Sequence, residues 1–196
     1  MNRLPASPRS WSRRRFVAAS TLAVAGLALG CTRRSEAAAT TATPGTPARV
    51  SIVEFAADGR RLRTVQVPKV VKAEAAWRSQ LSPLAFEVTR HAGTERAFTG
   101  RYWNNHAKGL YRCVCCGTAV FDSATKFESG TGWPSFWQPI ARQNVAESGD
   151  RTFGMVRTAI SCVRCDAHLG HVFDDGPAPT GLRYCMNSAA LDFVAA

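Results

Sequence analysis

Acidic residues are scarce: 14 Asp and Glu stand against 25 Lys and Arg in 196 residues, leaving a formal charge of +11. A shortage on that scale invites a nucleic-acid or acidic-membrane reading, and its distribution along the chain removes much of it. Residues 1–39 carry Arg3, Arg9, Arg13, Arg14, Arg15, Arg33 and Arg34 against Glu36 alone, which is +6 of the total. The remaining excess is diffuse, and no nucleic-acid partner is expected. A membrane-spanning run is missing as well. The apolar, charge-free stretch from Phe16 to Gly30 has fifteen residues, short of the roughly 20 that a bilayer-spanning helix needs. No internal repeat is visible. An even cysteine count is also lacking, and seven cysteines exclude a complete set of internal disulfides. What is there, 45% hydrophobic and 20% charged residues, suits one globular domain with an appendage and not a disordered or fibrous chain.

The appendage comes first. Ser12-Arg13-Arg14-Arg15-Phe16, the apolar stretch and the small residues after it form a cleavable export signal. The Ser-Arg-Arg-x-Phe order resembles the twin-arginine signal, whose pathway carries folded proteins. A basic amphipathic anchor helix is excluded because the run has no polar face. Two cleavage sites compete. Leu27-Ala28-Leu29-Gly30-Cys31 resembles a bacterial lipoprotein box, with Ala28 where Leu is usual, and would leave Cys31 as a lipid anchor. Ala37-Ala38-Ala39 is a small-x-small site for ordinary signal peptidase. The chain is thus expected to be exported, either periplasmic or held at the membrane through Cys31 facing the periplasm.

Residues 1–31 are read as the signal segment and residues 32–48, rich in Ala, Thr and Pro, as a flexible linker. Residues 49–70 form a β-hairpin extension: Val50–Phe55 and Leu62–Val67 are β-rich runs separated by Asp58-Gly59. The main domain occupies 71–196. The pattern predicts a short helix over 73–80 that ends toward Ser82-Pro83, with 84–89 continuing helically. From about 97 onward, turn pairs and short β-rich runs predict antiparallel β-structure.

Cys113-Val114-Cys115-Cys116 and Cys162-Val163-Arg164-Cys165 supply two Cys-x-x-Cys units with 45 residues between Cys116 and Cys162. Two residues between ligands let a tight turn aim both sulfurs at one ion, and two such turns complete a four-thiolate zinc site. Two disulfides, or iron on the same thiolates, are the alternatives. A closed site of four thiolates has no open position, so this metal holds structure and the chemistry lies elsewhere.

Cys31, Cys115 and Cys185 remain. Cys185 sits in Arg183-Tyr184-Cys185-Met186-Asn187; on a strand, Arg183, Cys185 and Asn187 would share one face. A guanidinium beside a thiol favours the thiolate that a nucleophile needs. A lone late cysteine is also a common small core residue. Two further segments add weight: Ser129-Gly130-Thr131-Gly132-Trp133-Pro134-Ser135-Phe136, with an aromatic on a Gly-rich turn, and His168-Leu169-Gly170-His171-Val172-Phe173-Asp174-Asp175, with two imidazoles near two carboxylates.

Together with Trp77-Arg78, Gly93-Thr94-Glu95-Arg96, Phe98-Thr99-Gly100, Lys126-Phe127-Glu128 and Gly154-Met155-Val156-Arg157, in this order over about residues 74–196, these segments resemble the B-type methionine sulfoxide reductases. That family reduces the R epimer of methionine sulfoxide. The resemblance implies a mainly β fold of two antiparallel sheets, tent- or barrel-like, with small peripheral helices and a structural Zn2+ on Cys113, Cys116, Cys162 and Cys165. It implies that Cys185 is the nucleophile and that Trp133 receives the substrate S-methyl group. His168 and His171 would orient and protonate the sulfoxide oxygen, with Asp174, Arg183 and Asn187 ordering the polar shell. The implied partners are methionine-R-sulfoxide in peptides or proteins and a thioredoxin-like reductant, with the chain acting as a monomer. One departure stands out: many members carry a resolving Cys where this chain has Thr131. A secreted zinc-ribbon interaction module without catalysis is the main rival, and it leaves Cys185, Trp133 and the His pair unused. A Cys-x-x-Cys oxidoreductase lacks its βαβ surroundings here.

Overall fold

The computed structural model describes residues 47–151 and 156–196. The signal segment, Cys31, most of the expected linker and Gly154-Met155 lie outside the described residues. Residues 43–196 form one compact unit. Its first element is a hairpin of β1 (Arg49–Phe55) and β2 (Arg61–Pro68). At its turn the Gly59 amide donates to the Ala56 carbonyl at 3.1 Å and the Arg60 amide to Asp58 Oδ1 at 2.9 Å.

Two short helices follow, as the pattern predicted, with the break at the Ser82-Pro83 pair. They are α1 (Glu74–Gln80) and α2 (Pro83–His91). Ser82 is the start of the second and not only the stop of the first: its hydroxyl accepts from the Ala85 amide, and Pro83 takes the first helical position, where no N–H is missed. Trp77 is buried under both, with Lys72 Nζ 4.8 Å and the Arg90 guanidinium 4.9 Å from its ring.

The remainder is antiparallel β. A three-stranded sheet has the order β11 (Leu191–Ala195), β3 (Gly109–Cys113), β4 (Ala119–Asp122). A six-stranded sheet has the order β5 (Lys126–Phe127), β6 (Ser135–Phe136), β10 (Arg183–Met186), β9 (His168–Phe173), β8 (Arg157–Cys162), β7 (Val145–Asp150). The mainly β class with small helices therefore holds, the hairpin adding a third, two-stranded sheet.

The core lies between the two larger sheets. Strand alternation sends Phe136, Ile160, Tyr184 and Met186 to the inner face, all buried. Phe121 stacks on Phe136 at 4.5 Å and tilts against Tyr184 at 5.8 Å, while Tyr111 meets Phe136 edge-on at 5.0 Å. The other face of the six-stranded sheet is left to carry polar side chains, His171 and Cys185 among them.

The hairpin is fastened to the domain by one buried amide. Asn144, fully buried, accepts from the Val53 amide at 2.7 Å and donates to the carbonyls of Val53 and Ala119, both at 2.8 Å. Asn144→Ala would strand three backbone groups without water. It should lower unfolding stability by about 2–4 kcal/mol, read as a lower urea midpoint at unchanged slope. A midpoint equal to that of the wild type would mean that the hairpin is held by its apolar face alone.

Candidate active site and metal centre

Sheet register assembles the site from residues far apart in sequence. Cys185 on β10 pairs with His171 on β9 to one side and with Ser135 on β6 to the other. His171 in turn pairs with Ala159 on β8, and Ala159 with Ser148 on β7. Directly opposed residues share a face, with Cβ atoms about 5 Å apart, so one row runs Ser148, Ala159, His171, Cys185, Ser135. The next row on that face holds Asp150, Arg157, Phe173 and Arg183, since Asp150 pairs with Arg157 and Arg183 with Phe173.

His168 and His171 are three apart, which on a regular strand would put them on opposite faces. They share one because β9 carries a bulge: Ile160 pairs with Gly170 but Ser161 pairs with His168, leaving Leu169 unmatched. The two imidazoles meet edge to face with centroids 5.1 Å apart. Gly170 is required where the strands run close; a Cβ there would lie 2.1 Å from the Cys185 carbonyl oxygen.

The Cys185 sulfur is half-buried and touches Thr131 Oγ1 at 3.9 Å. Thr131 belongs to a hydroxyl chain in which Ser129 Oγ lies 2.8 Å from Thr131 Oγ1 and 2.7 Å from Ser135 Oγ. Burial pushes the Cys185 thiol above its ordinary value, and the Thr131 hydroxyl, the Arg183 charge and Ser135 pull down without cancelling it. The expectation that Arg183 favours the thiolate holds in direction. The pull is present, but desolvation is larger in the resting site, which holds the thiol protonated.

Arg183 is fixed from two sides. Its guanidinium stacks over Phe173 at 4.4 Å and makes a two-pronged ion pair with Asp175, Nε to Oδ1 and Nη2 to Oδ2, each 2.8 Å. The carboxylate that orders Arg183 is thus Asp175; Asp174 and Asp175 are both exposed. β9 ends at Phe173, so strand alternation no longer decides which of the two neighbours turns back toward Arg183.

His168 is buried, and desolvation first, then the adjacent His171, hold it down at about 4, with Asp150 opposing and Arg157 adding to the drop. It is neutral at neutral pH, and its Nε2 has no hydrogen-bond partner among the described residues. His171 Nε2 lies 2.8 Å from Asp150 Oδ2, which also accepts from Arg157 Nη2 at 2.7 Å. Trp133 is half-buried and its indole N–H donates to the Glu95 carbonyl at 3.1 Å.

Asn187 follows the last residue of β10 and is buried. Its Oδ1 accepts from the Glu95 amide at 3.0 Å and its Nδ2 donates to the Leu169 carbonyl at 3.2 Å. Glu95, which sequence motifs did not single out for a role, is the hub here. Buried, it accepts from the Ser188 and Ala189 amides at 2.6 and 2.8 Å, while its carbonyl takes Trp133. One residue thus ties Trp133, through its carbonyl, to the end of the Cys185 strand, through its side chain.

The four cysteines converge at the far end of β3 and β8. Both knuckles use one hydrogen-bond pattern: the Cys113 amide donates to the Thr118 carbonyl and the Gly117 amide to the Cys113 carbonyl, as the Cys162 amide donates to Ala167 and the Asp166 amide to Cys162. The left-handed residue each turn needs is Gly117 (φ 73) in the first and Asp166 (φ 55) in the second. The sulfurs of Cys113, Cys116, Cys162 and Cys165 all lie within 4.8 Å of one another, with Cys113 to Cys165 at 3.6 Å and Cys116 to Cys162 at 3.5 Å. A tetrahedral zinc thiolate site asks for sulfur separations of about 3.8 Å, and a disulfide for ~2.05 Å. The donor set fits zinc, and the thiols are not paired as disulfides. Such an ion would join the end of the three-stranded sheet to that of the six-stranded one. Cys115 is buried beside them and is not one of the four; its sulfur meets Thr89 Oγ1 at 3.4 Å.

Comparison with known proteins agrees with the site. A family model described as the SelR domain matches residues 81–195. A peptide methionine sulfoxide reductase MsrB of Synechococcus sp. (strain RCC307) is 57% identical over 131 residues, 67% of this chain and 96% of its own length. Its counterpart in Thiobacillus denitrificans (strain ATCC 25259 / T1) is 59% identical over 122 residues, 62% of this chain and 92% of its own. That of Acinetobacter baylyi (strain ATCC 33305 / BD413 / ADP1) is 57% identical over 123 residues, 63% and 88%. With a half-buried thiol between an imidazole and a hydroxyl chain on one sheet face and a four-thiolate metal site at its end, the chain belongs to the SelR family, that of the B-type methionine sulfoxide reductases.

Proposed function

We propose that the protein reduces the R epimer of methionine sulfoxide in peptides and proteins, with Cys185 as nucleophile. The observation that carries this is the row His171, Cys185, Ser135, which sets the thiol beside an imidazole. Sulfur attack on the sulfoxide sulfur, with protonation of the sulfoxide oxygen, transfers that oxygen to Cys185: the substrate sulfur gains two electrons, Cys185 loses two, and methionine and a Cys185 sulfenic acid result. His171, opposite Cys185, and His168 are placed to orient the oxygen and handle its proton. Trp133 would receive the S-methyl group on its face. Arg183, held by Asp175, favours the charged sulfur once substrate displaces water.

The sulfenic acid is then reduced by an external thiol. The first thiol forms a mixed disulfide with Cys185 and releases water; a second, from a thioredoxin-like protein or a small dithiol, frees Cys185. Thr131 against the sulfur and Cys115 buried beside the metal knuckle support this route. The twin-arginine-like segment supports export of a folded, metal-loaded protein, with Cys31 as a lipid anchor if cleavage falls before it.

Separate R and S epimers of a peptide-bound methionine sulfoxide, with dithiothreitol as reductant, test the reading. Turnover of R with S essentially untouched is expected. Activity on S alone would sink it.

A further inference from the structure

The proton-handling imidazole of this face has its own orienting carboxylate, and that carboxylate comes from two strands away. Asp150 closes β7 and His171 lies on β9, with β8 between them. Their side chains nevertheless meet, Asp150 Oδ2 to His171 Nε2 at 2.8 Å, both side chains largely shielded at 15% and 12% exposure. The residue that opposes His171 on the intervening strand is Ala159. Its single methyl leaves the space above β8 open, so the imidazole and the carboxylate can reach across it. Any longer side chain at 159 would stand in that space, since it projects from the same face.

An ionised carboxylate has acceptors only, so the His171 nitrogen facing it must carry the proton. The Arg157 guanidinium holds the same carboxylate oxygen at 2.7 Å, itself fixed by the Asp150–Arg157 strand pairing. The carboxylate therefore has a set position before any substrate arrives. It lies 21 residues from His171 in sequence, with no motif joining them.

We propose that Asp150 is the positioning residue of the sulfoxide-reducing site: reaching over Ala159, it pins the His171 proton to Nε2 and leaves Nδ1 as the nitrogen that exchanges a proton on the Cys185 face. This rests on the reading of the face as a sulfoxide-reducing site. In each turnover Nε2 keeps its proton, while Nδ1 takes the proton of the Cys185 thiol and hands it to the sulfoxide oxygen as the Cys185 sulfur forms its bond to the substrate. The same nitrogen relays to Cys185 the proton of the second thiol when that thiol frees it. Asp150 touches neither substrate nor sulfur and acts only through His171.

Two measurements test this. In protein labelled with 15N histidine, neutral His171 should be the Nε2–H tautomer, and Asp150→Asn should convert it to a mixture of both. In turnover of the R sulfoxide, Asp150→Asn should lower kcat on the order of 10²-fold with little change in KM. Ala159→Leu, which leaves every polar group in place, should give a similar loss, with metal content and melting temperature near those of the wild type in both variants. In a His171→Gln background, Asp150→Asn should cost almost nothing further. An Nδ1–H tautomer in the wild type, undiminished kcat in Asp150→Asn, or losses that multiply in the double variant would overturn the assignment. A wild type that turns over neither epimer would count against the sulfoxide reading, and the tautomer measurement would still decide the role of Asp150.

Discussion

Cys185→Ser should lose turnover of the R sulfoxide by about 10⁴-fold or more, because a hydroxyl at that position has neither the acidity nor the soft sulfur that the attack requires. The fold gives no reason for the variant to fail for another cause. Cys185 lies on the outer face of the six-stranded sheet, half-buried, while the core is built from Phe136, Ile160, Tyr184 and Met186 on the opposite face. Its melting temperature and metal content should therefore match the wild type. Labelling sharpens the result. Since burial keeps the resting thiol above its ordinary value, alkylation of Cys185 by a neutral reagent should be slow at neutral pH and rise as the solution is made alkaline. Activity retained by the serine variant would move the chemistry to another residue, and Cys115, buried beside the metal knuckle, would be next to test.

Removal of the metal should unfold the domain outright. Structural zinc in small domains contributes an apparent 10–16 kcal/mol, against a total stability of about 5–15 kcal/mol for a whole domain. Here Cys113 ends β3 in one sheet and Cys162 ends β8 in the other, so loss of the ion releases the junction between the two layers that enclose the core. Four thiolates left together without a cation would repel or take up protons, and either relaxes both knuckles. Cys116→Ser, or a strong chelator on the wild type, should abolish cooperative melting in circular dichroism and disperse activity with it. One zinc per chain is the expected stoichiometry. An apo form that melts at the holo temperature would show the ion to be dispensable, leaving the aromatic contacts of Phe121, Tyr111 and Phe136 to hold the layers alone.

The parts of the fold and site legible in sequence are those whose geometry is local. Two Cys-x-x-Cys units announce their knuckles because each turn is complete within six residues, and the hairpin announces itself through Asp58-Gly59 between β-rich runs. What was not legible depends on register or on burial. Asp150 and Glu95 reach their partners across strands, from 21 and 38 residues away for His171 and Trp133, with nothing local to mark them. Asp175 could not be told from Asp174 because the strand had already ended. Ser82 reads as the stop of the first helix and also caps the second, a role fixed by its backbone angles and not by its identity alone. At the thiol, the pull of the neighbouring Arg was legible in sequence, but the loss of water around the sulfur was not.

The bulge at Leu169 has a consequence for how this protein tolerates change. Both imidazoles face Cys185 only because β9 has one residue more than β8 over that stretch. The site is therefore specified there by a count as much as by an identity. Leu169 itself, fully buried, could be exchanged for another apolar residue of similar volume at modest cost. Deleting it would remove a fully buried side chain from the core but would leave the two imidazoles two residues apart and still on one face. One codon inserted into β8 between Ile160 and Ser161 would instead pair Leu169, restore strict alternation and turn His168 toward the core, so a lineage could drift in composition here and still lose its second imidazole to a single added residue.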